Sequence, residues 1–109
     1  MIISGYNVYP ADIEHVVNEL PFIKENCPVK GFGANGRILV RLFVVLADDA
    51  QADEDTYKQM ITQACAKRLP RYSVPRDIRF LKALPRTRVG KVDFMRLRQE
   101  NPEDPIYTD

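Results

Sequence analysis

The chain has 109 residues, enough for one domain around a single modest core. Its 45% hydrophobic and 28% charged residues are those of an ordinary globular protein, and no stretch approaches the apolar length needed to span a bilayer. The net charge of +1 hides an asymmetry: residues 1–55 sum to −5, residues 56–109 to +6, and the bases crowd between Lys67 and Arg98 with only Asp77 and Asp93 opposing them.

The start, Met1-Ile2-Ile3-Ser4-Gly5, lacks the basic flank and long apolar run of a signal peptide. Pro10 suits the first turn of a helix, and Ile13, Val16, Val17 and Leu20 follow it at helical spacing until Pro21 stops the pattern. Residues 28–36 are broken by Gly31, Gly33 and Asn35-Gly36, a strong hairpin signal. The flanking strands are expected at 29–32 and 37–47. The second is a nearly continuous β-branched and aliphatic run that reads as a central strand, buried on both faces through part of its length.

An acidic loop at 48–55 supplies an N-cap and negative charge at a helix start. Tyr57, Ile61, Ala64, Cys65 and Leu69 mark the second helix, stopped by Pro70. Residues 77–81 alternate as a short strand, 85–90 form a loop, and Asp93 can cap a last helix carrying Phe94 and Leu97. The order helix, hairpin, helix, strand, helix predicts an α+β fold: a small, mainly antiparallel sheet of about three strands, helices on one face, and a short N-terminal hairpin. Residues 1–100 form the domain. Residues 101–109, with two prolines and three acids, read as a loose tail.

Little of the usual catalytic chemistry is available. Cys27 and Cys65 have neither metal-type nor redox-type spacing and read as small buried hydrophobes in a reducing compartment, placing the chain in the cytoplasm. His15 is the only histidine, on the polar side of its helix beside Glu14 and Glu19, so no metal site is expected. No serine or threonine sits in a nucleophile-elbow setting, and no glycine loop leads into a helix as a phosphate cradle.

What stands out is Leu84-Pro85-Arg86-Thr87-Arg88-Val89-Gly90-Lys91. A lysine after a glycine, in a turn ringed by arginines, is held out on a loop where its point charge reaches a phosphate or carboxylate on another surface. Lys91 is therefore the candidate catalytic residue, acting as an electrostatic clamp and not as a base, with Arg86 and Arg88 as phosphate contacts. The basic segment reads equally as a solvated face or as a surface that attracts anions.

This run, taken with Ser4-Gly5-Tyr6-Asn7-Val8-Tyr9-Pro10-Ala11-Asp12-Ile13-Glu14, resembles the C-terminal domain of the adenylate-forming ligases, most closely the AMP-forming acyl-CoA synthetases. The early motif is similar to that family's glycine-containing loop and Tyr-Pro, followed by a helix with two acids flanking an aliphatic residue. The late motif matches its Leu-Pro, basic residue, Thr, then Gly-Lys before a helix. The resemblance runs from Met1 to Gln99, with Tyr6 standing where many members have a second glycine, and the hinge residue it implies precedes Met1.

The resemblance implies a two-step reaction with ATP and coenzyme A as substrates and a small-molecule carboxylate as the acyl donor. A large N-terminal adenylation domain, normally in the same chain, would bind the acyl group, adenine and Mg2+. The small domain would swing between two poses. In one, Lys91 would bridge carboxylate and phosphate. In the other, Gly5, Tyr6, Asn7, Val8 and Tyr9 would line the thiol channel, where glycine permits close approach. Alone, such a domain is expected to be inactive.

Two other readings compete. One is a stand-alone anion- or nucleic-acid-binding module using the 67–98 face. It is disfavoured because Tyr72, Phe80 and Phe94 fit core positions rather than a stacking platform, so no nucleic-acid partner is expected. The other is a protein-interaction module that uses the 37–47 strand as an exposed edge.

Overall fold

A computed structural model of the chain describes residues 1–107. The first elements are two short strands, β1 (Ile2–Ile3) and β2 (Tyr6–Asn7), paired antiparallel with Ile2 opposite Asn7 and Ile3 opposite Tyr6. Both turn residues, Ser4 (φ 50°) and Gly5 (φ 82°), take left-handed conformations, as a two-residue hairpin loop of the mirror-image type requires. Helix α1 (Pro10–Asn18) starts on the proline and buries Ile13, Val16 and Val17.

Strand β3 (Ile23–Phe32) is longer than the expected 29–32: it begins in the polar run Lys24-Glu25-Asn26 and passes through Pro28. Period-2 alternation is masked there by a register shift between Ile23 and Glu25. β3 is an edge strand, where a residue without an N–H is tolerated. It pairs antiparallel with β4 (Ile38–Leu46), and β4 pairs parallel with β5 (Asp77–Phe80). The three-stranded sheet, ordered β3-β4-β5, is thus mixed, and β4 is central. With hydrogen-bonded neighbours on both sides over Arg41–Val44, β4 is the central strand and not the exposed edge that the protein-interaction reading needs.

Helix α2 (Glu54–Arg68) is capped as expected: the Asp53 carboxylate accepts the Thr56 amide at 2.7 Å. It ends at Arg68, before Pro70. A single 3-10 turn (Arg71–Ser73) leads into β5, and α3 (Phe94–Gln99) starts from Asp93, which accepts from the Arg96 amide at 3.3 Å.

The core has two parts, one on each face of the sheet. Val40, Leu42, Val44 and Ile78 pack under α1 and α2, against Ile13, Val17, Tyr57, Ile61 and Cys65. The residues between them in β4, Phe43 and Val45, face the other way and pack with Cys27, Val29, Leu81, Leu84 and Leu97. The helices therefore lie on both faces and not on one, because Leu97 brings α3 under the second face. The two cysteines fall in different clusters, separated by the sheet, and both are free.

The tail is also docked as far as it is described. Arg96 donates to Asp104 through Nε (3.1 Å) and Nη2 (2.6 Å), and Ile106 and Tyr107 pack against the second cluster. The rest of the 101–109 segment lies outside the described residues.

Candidate functional site

The Lys91 loop is a small closed hairpin. Arg86 and Val92 form an antiparallel bridge, the Gly90 amide donates to the Thr87 carbonyl at 3.0 Å, and the Thr87 amide donates to the Lys91 carbonyl at 2.8 Å. The Asp93 amide closes the base on the Pro85 carbonyl at 2.8 Å. Gly90 sits at φ 83°, a left-handed conformation that a side chain would strain. Leu84 and Leu97, both buried, anchor the two ends of the loop in the second core cluster.

The result is a turn closed by backbone hydrogen bonds at Thr87, Gly90 and Asp93, with the side chains at its tip outside. Lys91, Arg88 and Val89 are exposed, and Lys91 and Arg88 make no ion pair among the described residues. Arg86 differs: its Nη1 donates to the Gly90 carbonyl at 3.0 Å and its Nη2 pairs with Glu25 on β3.

The early loop divides in the same way. Gly5, Tyr6, Asn7 and Tyr9 are exposed, but Val8 is fully buried in the first core cluster, and its backbone N–H and C=O bond the Met1 carbonyl and ammonium. Val8 therefore holds the loop down. Tyr6 stacks on Tyr72, with centroids 4.3 Å apart and planes 14° apart. Beside the Ser4–Gly5 turn lies an open cleft of about 620 Å³, lined by Ser4, Arg37, Arg71, Tyr72 and Arg76 among others. Its three arginines have no ion-pair partner among the described residues.

The two loops occupy opposite ends of the sheet. The Lys91 loop is tied to Glu25 near the start of β3, and the Ser4 turn shares its cleft with Gly33 and Asn35 beyond the end of β3. Eight residues of extended strand separate Glu25 from Gly33, roughly 25 Å.

Sequence reasoning missed a charged network on the second face. Arg41, its side chain 4% exposed, lies in the middle of β4. Its Nε donates to Asp77 at 2.5 Å, its Nη2 to the Phe32 carbonyl at 3.0 Å, and its Nη1 pairs with Glu100. Arg79 bonds the same two carboxylates, at 3.0 Å to Asp77 and 3.4 Å to Glu100. Burial raises the Asp77 pKa, but the hydrogen bond from Arg41 and the charges of Arg79 and Arg41 outweigh it and hold the carboxyl below the usual range. The signal was present: one arginine interrupting an aliphatic strand. The network joins the end of α3 to the sheet.

His15 is exposed, 3.3 Å from Glu19. Phe94 is not a core residue: it is 44% exposed, with the Arg98 guanidinium 5.9 Å over its ring. Among the described residues no group of three or more His, Cys, Asp and Glu side chains could hold a metal ion, and no helix is long and apolar enough to cross a membrane.

Comparison with known proteins places this geometry. The chain is 36% identical over 100 residues to the long-chain-fatty-acid–CoA ligase of Salmonella typhimurium, covering 92% of this chain and 17% of that one. It is 36% identical over 105 residues to the Bacillus subtilis enzyme of the same name, covering 95% and 18%. The fold superposes on the anthranilate CoA ligase AuaEII, in complex with anthranoyl-AMP, with a TM-score of 0.81 at 26% identity over 91% of this chain and 19% of that one. It also superposes on the amide bond synthetase McbA of Marinactinospora thermotolerans with a TM-score of 0.78, at 29% identity over 91% and 19%. The chain thus spans about a fifth of the length of these relatives. Residues 12–91, ending on the exposed lysine, match the family described as the AMP-binding enzyme C-terminal domain, and the chain belongs to that family.

Proposed function

We propose that the chain is the small moving domain of an AMP-forming carboxylate–CoA ligase, working with a larger adenylation domain that binds the acyl group, ATP and Mg2+. In the first half-reaction a carboxylate oxygen attacks the α-phosphorus of ATP, giving acyl-adenylate and releasing pyrophosphate. Lys91 bridges the attacking carboxylate and the α-phosphate, offsetting charge that builds up in the transition state, with Arg88 beside it. In the second half-reaction the thiol sulfur attacks the acyl carbonyl and AMP leaves. Gly5, Tyr6, Asn7 and Tyr9 then face the site and line the thiol channel, with Val8 anchoring them from below.

The observation that carries this reading is the placement of the two loops. An unpaired cation on a closed turn stands toward one end of the sheet, by the start of β3, and an exposed glycine turn stands at the other, beyond the end of β3. One rigid domain cannot bring both to the same reacting atoms at once, so a rotation must alternate them. The unpaired arginines beside the Ser4–Gly5 turn favour an acceptor that carries phosphate, such as coenzyme A, over a simple amine.

The test separates the half-reactions in a ligase carrying this chain as its last fifth. Lys91→Ala is expected to slow acyl-adenylate formation by about 100-fold or more while thioester formation from supplied acyl-adenylate persists. Equal loss in both half-reactions would refute the role of Lys91.

A further inference from the structure

We infer that Arg86 is a positioning residue for Lys91, oriented in turn by Glu25, and not a ligand for phosphate. The inference rests on the reading of Lys91 given above. The peptide bond between Gly90 and Lys91 sets the direction in which the lysine leaves the turn, and Gly90 is the residue least able to set that direction itself. It sits at φ 83° with nothing within 4 Å of where a Cβ would be. The constraint comes from outside. Arg86 Nη1 donates to the Gly90 carbonyl at 3.0 Å, and that carbonyl belongs to the Gly90–Lys91 peptide. The next carbonyl, that of Lys91, accepts from the Thr87 amide at 2.8 Å. Both peptide planes flanking the lysine are therefore held, one by the turn and one by a side chain.

Arg86 can do this because it is itself fixed at a second point. Its Nη2 pairs with Glu25, 61 residues away in sequence, where the register shift in β3 re-aims the strand. The two side chains are 44% and 31% exposed, so the pair is half-sheltered and not a freely waving surface contact. A planar guanidinium with several fixed donors can satisfy a carboxylate and a carbonyl together. A lysine, with one ammonium, cannot hold both in this geometry. With one N–H of each terminal nitrogen engaged, the guanidinium cannot swing toward a phosphate without releasing either the Glu25 carboxylate or the Gly90 carbonyl. Arg88, exposed at the tip of the same turn, has all of its donors free among the described residues.

Two measurements decide the point. In the 109-residue chain, amide relaxation at Gly90 and Lys91 is expected to show a rigid turn in the native protein and a mobile one in Arg86→Ala and Glu25→Gln. An unchanged rigid turn in both variants overturns the inference whatever the ligase does. In the ligase, Arg86→Ala is expected to lower the adenylation kcat by about 10- to 100-fold with KM for ATP unchanged. Glu25→Gln should give a smaller loss of the same kind, Arg86→Lys should fail to rescue, and the thioester half-reaction, which reports that the domain is folded, should persist.

A raised KM for ATP that Arg86→Lys restores, with Glu25→Gln silent, would make Arg86 a phosphate contact and overturn the proposal. Lys91→Ala is the separate control. If it leaves adenylation intact, the reading of Lys91 itself has failed, and the relaxation result still stands or falls alone.

Discussion

The buried arginine makes a prediction whose sign depends on which of two effects wins. Replacing Gly31 by alanine in a strand should by itself stabilise the fold by about 0.5–1 kcal/mol, because glycine loses more backbone freedom on folding. At this position the added methyl would overlap Nη1 of Arg41 and lie 2.9 Å from its Cζ and 3.3 Å from its Cβ. Arg41 has nowhere to retreat, since its three nitrogens are engaged by Asp77, Glu100 and the Phe32 carbonyl. Overpacking of this kind costs about 1–3 kcal/mol, and displacing one charge-assisted hydrogen bond adds about 1.5–3 kcal/mol. The clash wins, for a net loss of about 2–5 kcal/mol, which in a domain of this size lowers Tm by about 10 °C or more.

The decisive assay is a double-mutant cycle read by urea unfolding. In an Arg41→Met background the obstruction is gone, and Gly31→Ala should become neutral or slightly stabilising. An equal cost of Gly31→Ala in both backgrounds would refute the reasoning, because the methyl would then be clashing with something other than the guanidinium.

Burial pushes the Cys27 thiol up to about 12, with a further push from Glu14 that exceeds the pull of Arg98, and burial pushes Cys65 to about 11. A raised folded pKa contributes stability below the unfolded value of about 8.5 and loses it above, so unfolding free energy should fall between about pH 9 and pH 11–12, less so in Cys27→Ala. A flat alkaline limb in the native chain would contradict this. Asp77 behaves oppositely: its lowered pKa contributes stability above about pH 4 that is lost as pH falls through the folded value, and Asp77→Asn should flatten that acid limb in a pH series of urea melts. Leu97, fully buried under the second face, should cost about 2–5 kcal/mol as Leu97→Ala and loosen the Lys91 turn, detectable as faster amide exchange at Thr87 and Asp93.

Much of the architecture was legible because its signals are local. Pro10, the stripe from Ile13 to Val17, the cap supplied by the 48–55 acidic loop and the aliphatic run of β4 each act within a turn or a strand, and each element formed where its pattern lay. Lys91 stands out in the sequence because it follows a glycine in an arginine-ringed turn, and the structure leaves it exposed; the early loop is a candidate only through the family resemblance. The start of β3 was missed because a register shift and a proline hide alternation, and an edge strand tolerates both. The exposure of Phe94 was missed because helical spacing assigns it a stripe but not a neighbour to cover it.

By itself, the sequence determined the helices, the central place of β4 and the choice of Lys91 as the candidate lysine, but not the start of β3. Only the tertiary structure decided how the charges are shared out. Arg41 meets Asp77 and Glu100 across 36 and 59 positions of chain, and Arg86 meets Glu25 across 61. An arginine's formal charge is the same in every setting. Whether it is a buried tie, a support for a turn or a free cation depends on which carboxylate and carbonyl oxygens the fold brings within about 3 Å of it, and that is set by packing between segments distant in sequence.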